Sequence, residues 1–234
     1  MSGAAPVLVV TCDWAGRQAP DAPLGPRELA LSAQLSMPGR AEWVRTRLTA
    51  KAALRWATGE PGHEILTAAD GAPVLRPGPA AAAVSLAHTR ELAVCAVTRG
   101  GPAGWLGVDV EPVDARNDIL LRRLLGPGEQ PPACPEPAPG LLATVLVACK
   151  EAALKAYRRP SPSLRDYRLH QHPDGRLGVR FTGGPGPGLR LRWTCRDGLV
   201  TALCTAGDEP PPQYRTVGAD EVLTALGVPR PGRT

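Results

Sequence analysis

Proline and glycine punctuate this chain so densely that regular structure is confined to what lies between them. There are 27 Pro and 26 Gly in 234 residues, and neither continues a helix or a central strand without cost. They crowd into 126–140, 183–188 and 209–212, which read as loops. Two long stretches escape them. "AEWVRTRLTAKAALRWA" (41–57) and "LLATVLVACKEAALKAY" (141–157) are made of good helix formers, the first stopped by Gly59 and Pro61. The second is the clearest helix of the sequence and is apolar over most of its surface, so it must be largely buried.

The strands read from short apolar runs bounded by turn residues. "VLVVT" (7–11) is a buried strand, and "AAAVSLAH" (81–88) with "ELAVCAVT" (91–98) forms a hairpin around a tight turn. "WLGVDVEP" (105–112) is a strand ended by Pro112. "YRLHQHPDGRLGVRF" (167–181) is a hairpin on an Asp-Gly turn, and 189–195 pairs with 199–205 across "RDG". Short helices are expected around "PRELALSAQL", over "ARNDILLRRLL" (115–125) and over "ADEVLTALG" (219–227). This order predicts an α+β protein in a pseudo-two-fold arrangement of two similar lobes, 1–104 and 105–234. Each lobe is a small antiparallel sheet with helices. A duplicated fold of this kind places its site at the lobe interface.

Composition excludes several classes. The 43% hydrophobic content supports a sizeable core. The net charge is +5, but the arginines are spread out and there is a single Phe, which argues against a base-stacking nucleic-acid binder. Modest basicity suits an anionic small substrate or an acidic protein partner. None of the six cysteines forms a CxxC motif, and several lie in apolar runs such as "LAVCAV". They read as buried, reduced thiols of a cytoplasmic protein. No signal peptide is apparent, and no apolar run reaches the roughly 18 residues of a membrane span.

The chemistry concentrates in two places. In "GVDVEP" (107–112) the strand period puts Asp109 and Glu111 on one face, where like charges repel. In "CKEAALK" (149–155) Glu151 and Lys155 share a helix face. An exposed pair of that kind contributes about 0.2–0.5 kcal/mol, but this helix is otherwise apolar, so the charged patch asks for a purpose. Asp109, Glu111 and Glu151 brought together would make an all-oxygen site for Mg²⁺, an ion that keeps waters and binds a few carboxylates together with substrate phosphates. A nearby Lys or Arg would neutralise that phosphate.

"GVDVEP", followed about forty residues later by "KEAALKA", resembles the paired signature of the 4′-phosphopantetheinyl transferases, of the larger surfactin-synthetase-activating type. "VSLAHTRELAVCAV" resembles that family's Ser/Ala–His segment, "RTRLTAKAALR" its Arg-rich helix and "DGAP" its Gly-Lys-Pro segment. The likeness runs from about residue 40 to 205 in the family's order. It implies transfer of the phosphopantetheine arm of coenzyme A to a serine of an acyl or peptidyl carrier protein, by a monomer that uses Mg²⁺ and binds neither nucleic acid nor membrane. By matching position, Asp109, Glu111 and Glu151 would hold the metal. Glu151, or a water on the metal, would take the serine proton, and Lys155 would neutralise the pyrophosphate. His88, Arg45, Arg55 and Lys150 would bind coenzyme A, and Glu129 matches a further acidic position.

The chain departs from the family at Val147, where an aromatic residue is usual, at Ala72, where a lysine is usual, and at "YRRPSPS", where a Gly-x-Gly turn is usual. Arg158 or Arg159 would then supply the charge lost at Ala72. A diverged homologue that binds coenzyme A or a carrier protein with other chemistry, or none, is the alternative. Outside the signature, His170 and His172 alternate along a strand. With no further ligand at a suitable spacing, they read as surface residues. Cys149 lies on an apolar helix face and reads as core.

Overall fold

The computed structural model describes residues 6–77, 82–99, 105–134, 138–159, 161, 163–207 and 210–229. The chain is α+β and divides into two compact units, residues 1–103 with 210–234, and residues 104–209.

In the first unit, β1 (Leu8–Asp13) is followed by α1 (Pro26–Ser32), α2 (Met37–Thr58) and the hairpin β2 (Glu64–Thr67)–β3 (Pro73–Arg76). Then come β4 (Ala82–His88) and β5 (Leu92–Arg99). α2 stops where expected. Gly59 takes a left-handed conformation and returns its N–H to Arg55 O at 2.8 Å, the C-terminal cap that glycine makes without strain. Val44, Leu48, Ala52 and Ala53 of α2 share a core with Val10 and Cys12 of β1 and with Trp14 just after it. The buried indole of Trp14 donates to Thr49 Oγ1 at 3.0 Å.

The second unit runs β6 (Leu106–Pro112), a 3₁₀ turn over Ala115–Leu120, α3 (Leu121–Leu124) and α4 (Leu141–Tyr157). β7 (Tyr167–Gln171), β8 (Leu177–Phe181), β9 (Leu189–Arg196) and β10 (Leu199–Thr205) come next, in one antiparallel sheet of order β6-β10-β9-β8-β7. α4 buries Leu146, Cys149, Ala152, Ala153 and Tyr157 in the core that includes Val200, Ala202 and Cys204 of β10. Tyr157, Tyr167 and Phe181 close its far end as a ring cluster with centroids 5.2–6.0 Å apart. The segment 115–125, expected as one helix, is a 3₁₀ turn opened by Asp114, whose side chain accepts from Arg116 N, running into a single α-turn.

The chain ends in the first unit. β11 (Gln213–Gly218) lies parallel to β1, with Leu8 opposite Gln213 and Asp13 opposite Gly218, and leads into α5 (Ala219–Ala225). The sheet order is β11-β1-β5-β4. This corrects two expectations. Residues 210–234 group with the first unit rather than with residues 105–209, and the first sheet is mixed rather than antiparallel. Because β1 and β11 come from opposite ends of the chain, no tight turn dictates their direction. None of the six cysteines is in a disulfide, but only Cys12, Cys95, Cys149 and Cys204 are buried; Cys134 is half-buried and Cys195 exposed. Among the described residues, no helix is long and apolar enough to cross a membrane.

Candidate functional site

Gly107 sets the distance between β6 and α4. A Cβ there would fall 1.8 Å from the backbone oxygen of Ala152 and 2.8 Å from Ala156 N, so only glycine lets the strand come this close to the helix. The strand period then turns Asp109 and Glu111 to the helix side with Gly107. Their neighbours across β10 are Ala202 and Val200, small or apolar residues that offer no hydrogen bond from their side chains.

One turn of α4 supplies the partners. Lys155 Nζ donates to Asp109 Oδ1 at 2.7 Å and to Val108 O at 3.1 Å, which pins the ammonium to the strand. Asp109 is buried, and its second oxygen, Oδ2, has no hydrogen-bond partner among the described residues. Glu151 lies one turn before Lys155 on the helix. Burial raises the proton affinity of Glu151, nearby Asp109 raises it further, and Lys155 only partly offsets both. Glu111 is pushed up to about 7 by burial first, then by Asp109, with Lys155 opposing and Glu151 adding to the rise. Three carboxylates thus share one ammonium, and the negative charge is not balanced.

The sequence-predicted residues Asp109, Glu111, Glu151 and Lys155 are therefore brought together. Among the described residues no group of three or more His, Cys, Asp or Glu side chains is placed to hold a metal ion, and Asp109 is ion-paired to Lys155. The donor set still fits a hard divalent cation that keeps part of its water shell. It is all oxygen, it sets three carboxylates against the one ammonium of Lys155, and it has a buried carboxylate oxygen with no hydrogen-bond partner among the described residues. Asp109, Glu111 and Glu151 are the residues that would hold it.

The other predicted residues fare differently. Lys150 is wholly buried, ion-paired to Glu129 at 2.8 Å and donating to Tyr167 O at 2.8 Å. It is a scaffold residue with no face for coenzyme A, as is Glu129, whose side chain is also wholly buried. Consecutive helix residues point about 100° apart, so Lys150 turns inward while Glu151 turns to β6. His88, at the exposed end of β4, lies 3.5 Å from Glu42 Oε2. Arg45 reaches the backbone oxygens of Arg17 at 3.0 Å and Arg90 at 3.1 Å, gathering loops on the His88 side of the first unit. Arg55 does not join them, since ten residues of α2 separate it from Arg45 by about 15 Å. It lines a separate pocket with Lys51, Glu60 and His63. Lys51, on the same helix, is ion-paired at 2.7 Å to the buried Glu28. Ala72 is half-buried in the β2–β3 turn, its N–H on Asp70 Oδ1 at 3.1 Å.

Sequence reasoning misses the Glu28–Lys51 pair. A signal for it exists: "LGPRE" at 24–28 is repeated as "LGPGE" at 125–129. Neither a scan against protein-family models nor a search of curated proteins finds a match to this chain.

Proposed function

We propose that this chain is a 4′-phosphopantetheinyl transferase, moving the phosphopantetheine arm of coenzyme A to a serine of an acyl or peptidyl carrier protein and releasing 3′,5′-adenosine bisphosphate. The observation that carries this reading is the meeting of the two acidic motifs. Asp109 and Glu111 of "GVDVEP" and Glu151 and Lys155 of "KEAALK" form one site whose negative charge is unbalanced. A bound Mg²⁺ would supply charge neutralisation for the pyrophosphate of coenzyme A.

The chain's own residues divide the remaining work. Lys155, anchored on Asp109 and Val108 O, directs its remaining donor capacity at the leaving phosphate. Glu151, whose proton affinity is raised, accepts the proton of the incoming serine hydroxyl. Phosphoryl transfer needs a positioned hydroxyl and compensated charge more than a protein nucleophile. His88 and Arg45, near each other in the first unit, are the residues we assign to the phosphates of coenzyme A, with Arg55 left out by its distance. We read the protein as a cytoplasmic monomer of two related lobes.

Incubation with coenzyme A, Mg²⁺ and a panel of carrier proteins, read by intact mass, tests the proposal. The expected result is a carrier gaining the mass of one phosphopantetheine group, lost in Asp109→Ala and Glu151→Ala while both variants stay folded. Ala72, where the family has a lysine, favours a second reading in which a diverged homologue binds coenzyme A without transferring the arm. Calorimetric binding of coenzyme A with no mass gain on any carrier would select that reading. Binding by neither route would remove both.

A further inference from the structure

The hairpin β7–β8 carries a second group of metal-ligating side chains, remote in sequence from the carboxylates. His170 and His172 lie two residues apart, so the strand period sends both rings to one side. Their centroids are 4.8 Å apart and the rings stand at 62°. The residue opposite His170 on β8 is Gly178. A Cβ at Gly178 would lie 2.6 Å from His170 Nε2 and 2.9 Å from His172 Nε2. Both Nε2 atoms therefore turn into the space that a side chain would have filled.

The backbone under this pair is fixed. His172 N–H donates to Arg176 O at 2.8 Å, and His172 O accepts from Gly175 N–H at 2.9 Å, which closes the turn. Asp174, the nearest acidic residue in sequence, is tied up with Arg176. Neutral imidazole is the form that binds metal. Arg180 opposes an incoming cation, but its charge is solvent-exposed and screened.

We propose that His170 and His172 form a two-imidazole site for a borderline transition-metal ion of the Zn²⁺ class, with water completing its shell. Imidazole nitrogen selects such ions over Mg²⁺, which prefers oxygen. The site is thus chemically separate from Asp109, Glu111 and Glu151, and it stands whether or not the chain is a transferase.

The test is a Zn²⁺ titration of the full chain carrying Cys195→Ser, which removes the exposed thiol, in excess Mg²⁺, which occupies carboxylates. The readout is the imidazole Cε1–H signals of the four histidines. The expected result is that His170 and His172 shift together and saturate at one equivalent, while His63 and His88 stay in place. His172→Asn should weaken the binding by roughly tenfold or more, the loss of one of two donors. Gly178→Ala should weaken it too, by filling the space between the rings. Unmoved His170 and His172 signals, or Zn²⁺ affinity unchanged in His172→Asn, would overturn the proposal.

Discussion

The two units solve one packing problem in the same way and then part. Each lays a long helix on its sheet, and each fixes that helix with a buried Glu–Lys clamp. In the first unit, Glu28 accepts Gly25 N–H at 2.8 Å and Ile65 N–H at 2.8 Å, while Lys51 of α2 binds Glu28 at 2.7 Å and His63 O at 2.6 Å. In the second, Glu129 accepts Gly126 N–H at 2.7 Å and Leu169 N–H at 2.8 Å, while Lys150 of α4 binds Glu129 at 2.8 Å and Tyr167 O at 2.8 Å. In both, the carbonyl taken by the lysine precedes by two residues the N–H taken by the glutamate. The repeated "LGPxE" motif supplies both glutamates.

The units diverge beyond the clamp. One residue after Lys150 comes Glu151, and four further comes Lys155; the equivalents after Lys51 are Ala52 and Trp56. On the strand side, β1 offers Val10 and Cys12 to its helix, whereas β6 offers Gly107, Asp109 and Glu111. The shared residues are scaffold, and the unshared ones are where the second unit accumulates uncompensated charge. A lysine in "KEAALK" that belongs to the shared part is therefore structural, however close it stands to the site in sequence.

The largest expected effect breaks the shared part. Removing one partner of a buried ion pair leaves the other uncompensated and costs about 3–5 kcal/mol. Glu129→Ala and Lys150→Ala should lose that much in denaturant unfolding. Lys51→Ala should lose less, because the Lys51 side chain retains 9% exposure and the Lys150 side chain none. Equal losses at Lys51 and Lys150 would show that the two clamps do not differ as their burial says.

The next effect breaks the unshared part. In Gly107→Ala the new Cβ meets backbone rather than a flexible side chain, so β6 and α4 must separate. Overpacking of this kind costs about 1–3 kcal/mol. The separation should also carry Lys155 away from Asp109 and abolish transfer. Cys12→Ala in the first unit removes one buried sulfur and should leave transfer intact. Transfer retained by Gly107→Ala would show that the close approach is not what builds the site.

Much of this is legible in the sequence, for reasons that also mark where legibility ends. The bounds of α4 can be read directly, because Gly140 and the residues after Tyr157 interrupt a strong apolar pattern. Asp109 and Glu111 fall on one face because the strand period is local. The partner of Lys150 is not readable, because Glu129 sits in a Pro-rich loop whose path no periodicity fixes. β11 escapes for a related reason: "QYRTVG" is largely polar, and its pairing with β1 joins opposite ends of the chain. Arg45 and Arg55 look alike as two cations on one helix, and only the rise along α2 separates them.

The smallest effect sharpens the comparison through pH. Glu111 is raised to about 7 from an ordinary carboxyl value near 4.5, chiefly by burial and then by Asp109. Between those values the folded chain holds a proton that the unfolded chain releases. By linkage, metal-free stability must then rise as pH falls from 8 towards 5, with the gain levelling off below the unfolded value. Glu111 is only half-buried, so the rise should be smaller than either loss above. Four measurements of melting temperature against pH test the assignment. The metal-free protein should become more stable from pH 8 to pH 5.5. Glu111→Gln, which is neutral throughout, should be more stable than the parent at pH 8 and flatten the profile. Added Mg²⁺ should raise the parent's melting temperature most at pH 8, where the carboxylates are charged, and little at pH 5.5. In the first unit Ala52 and Trp56 stand where the second has Glu151 and Lys155, so Trp56→Gln should leave the slope unchanged. A parent profile that falls towards pH 5.5, or a slope that survives Glu111→Gln, would place the strained charge somewhere other than beside Asp109.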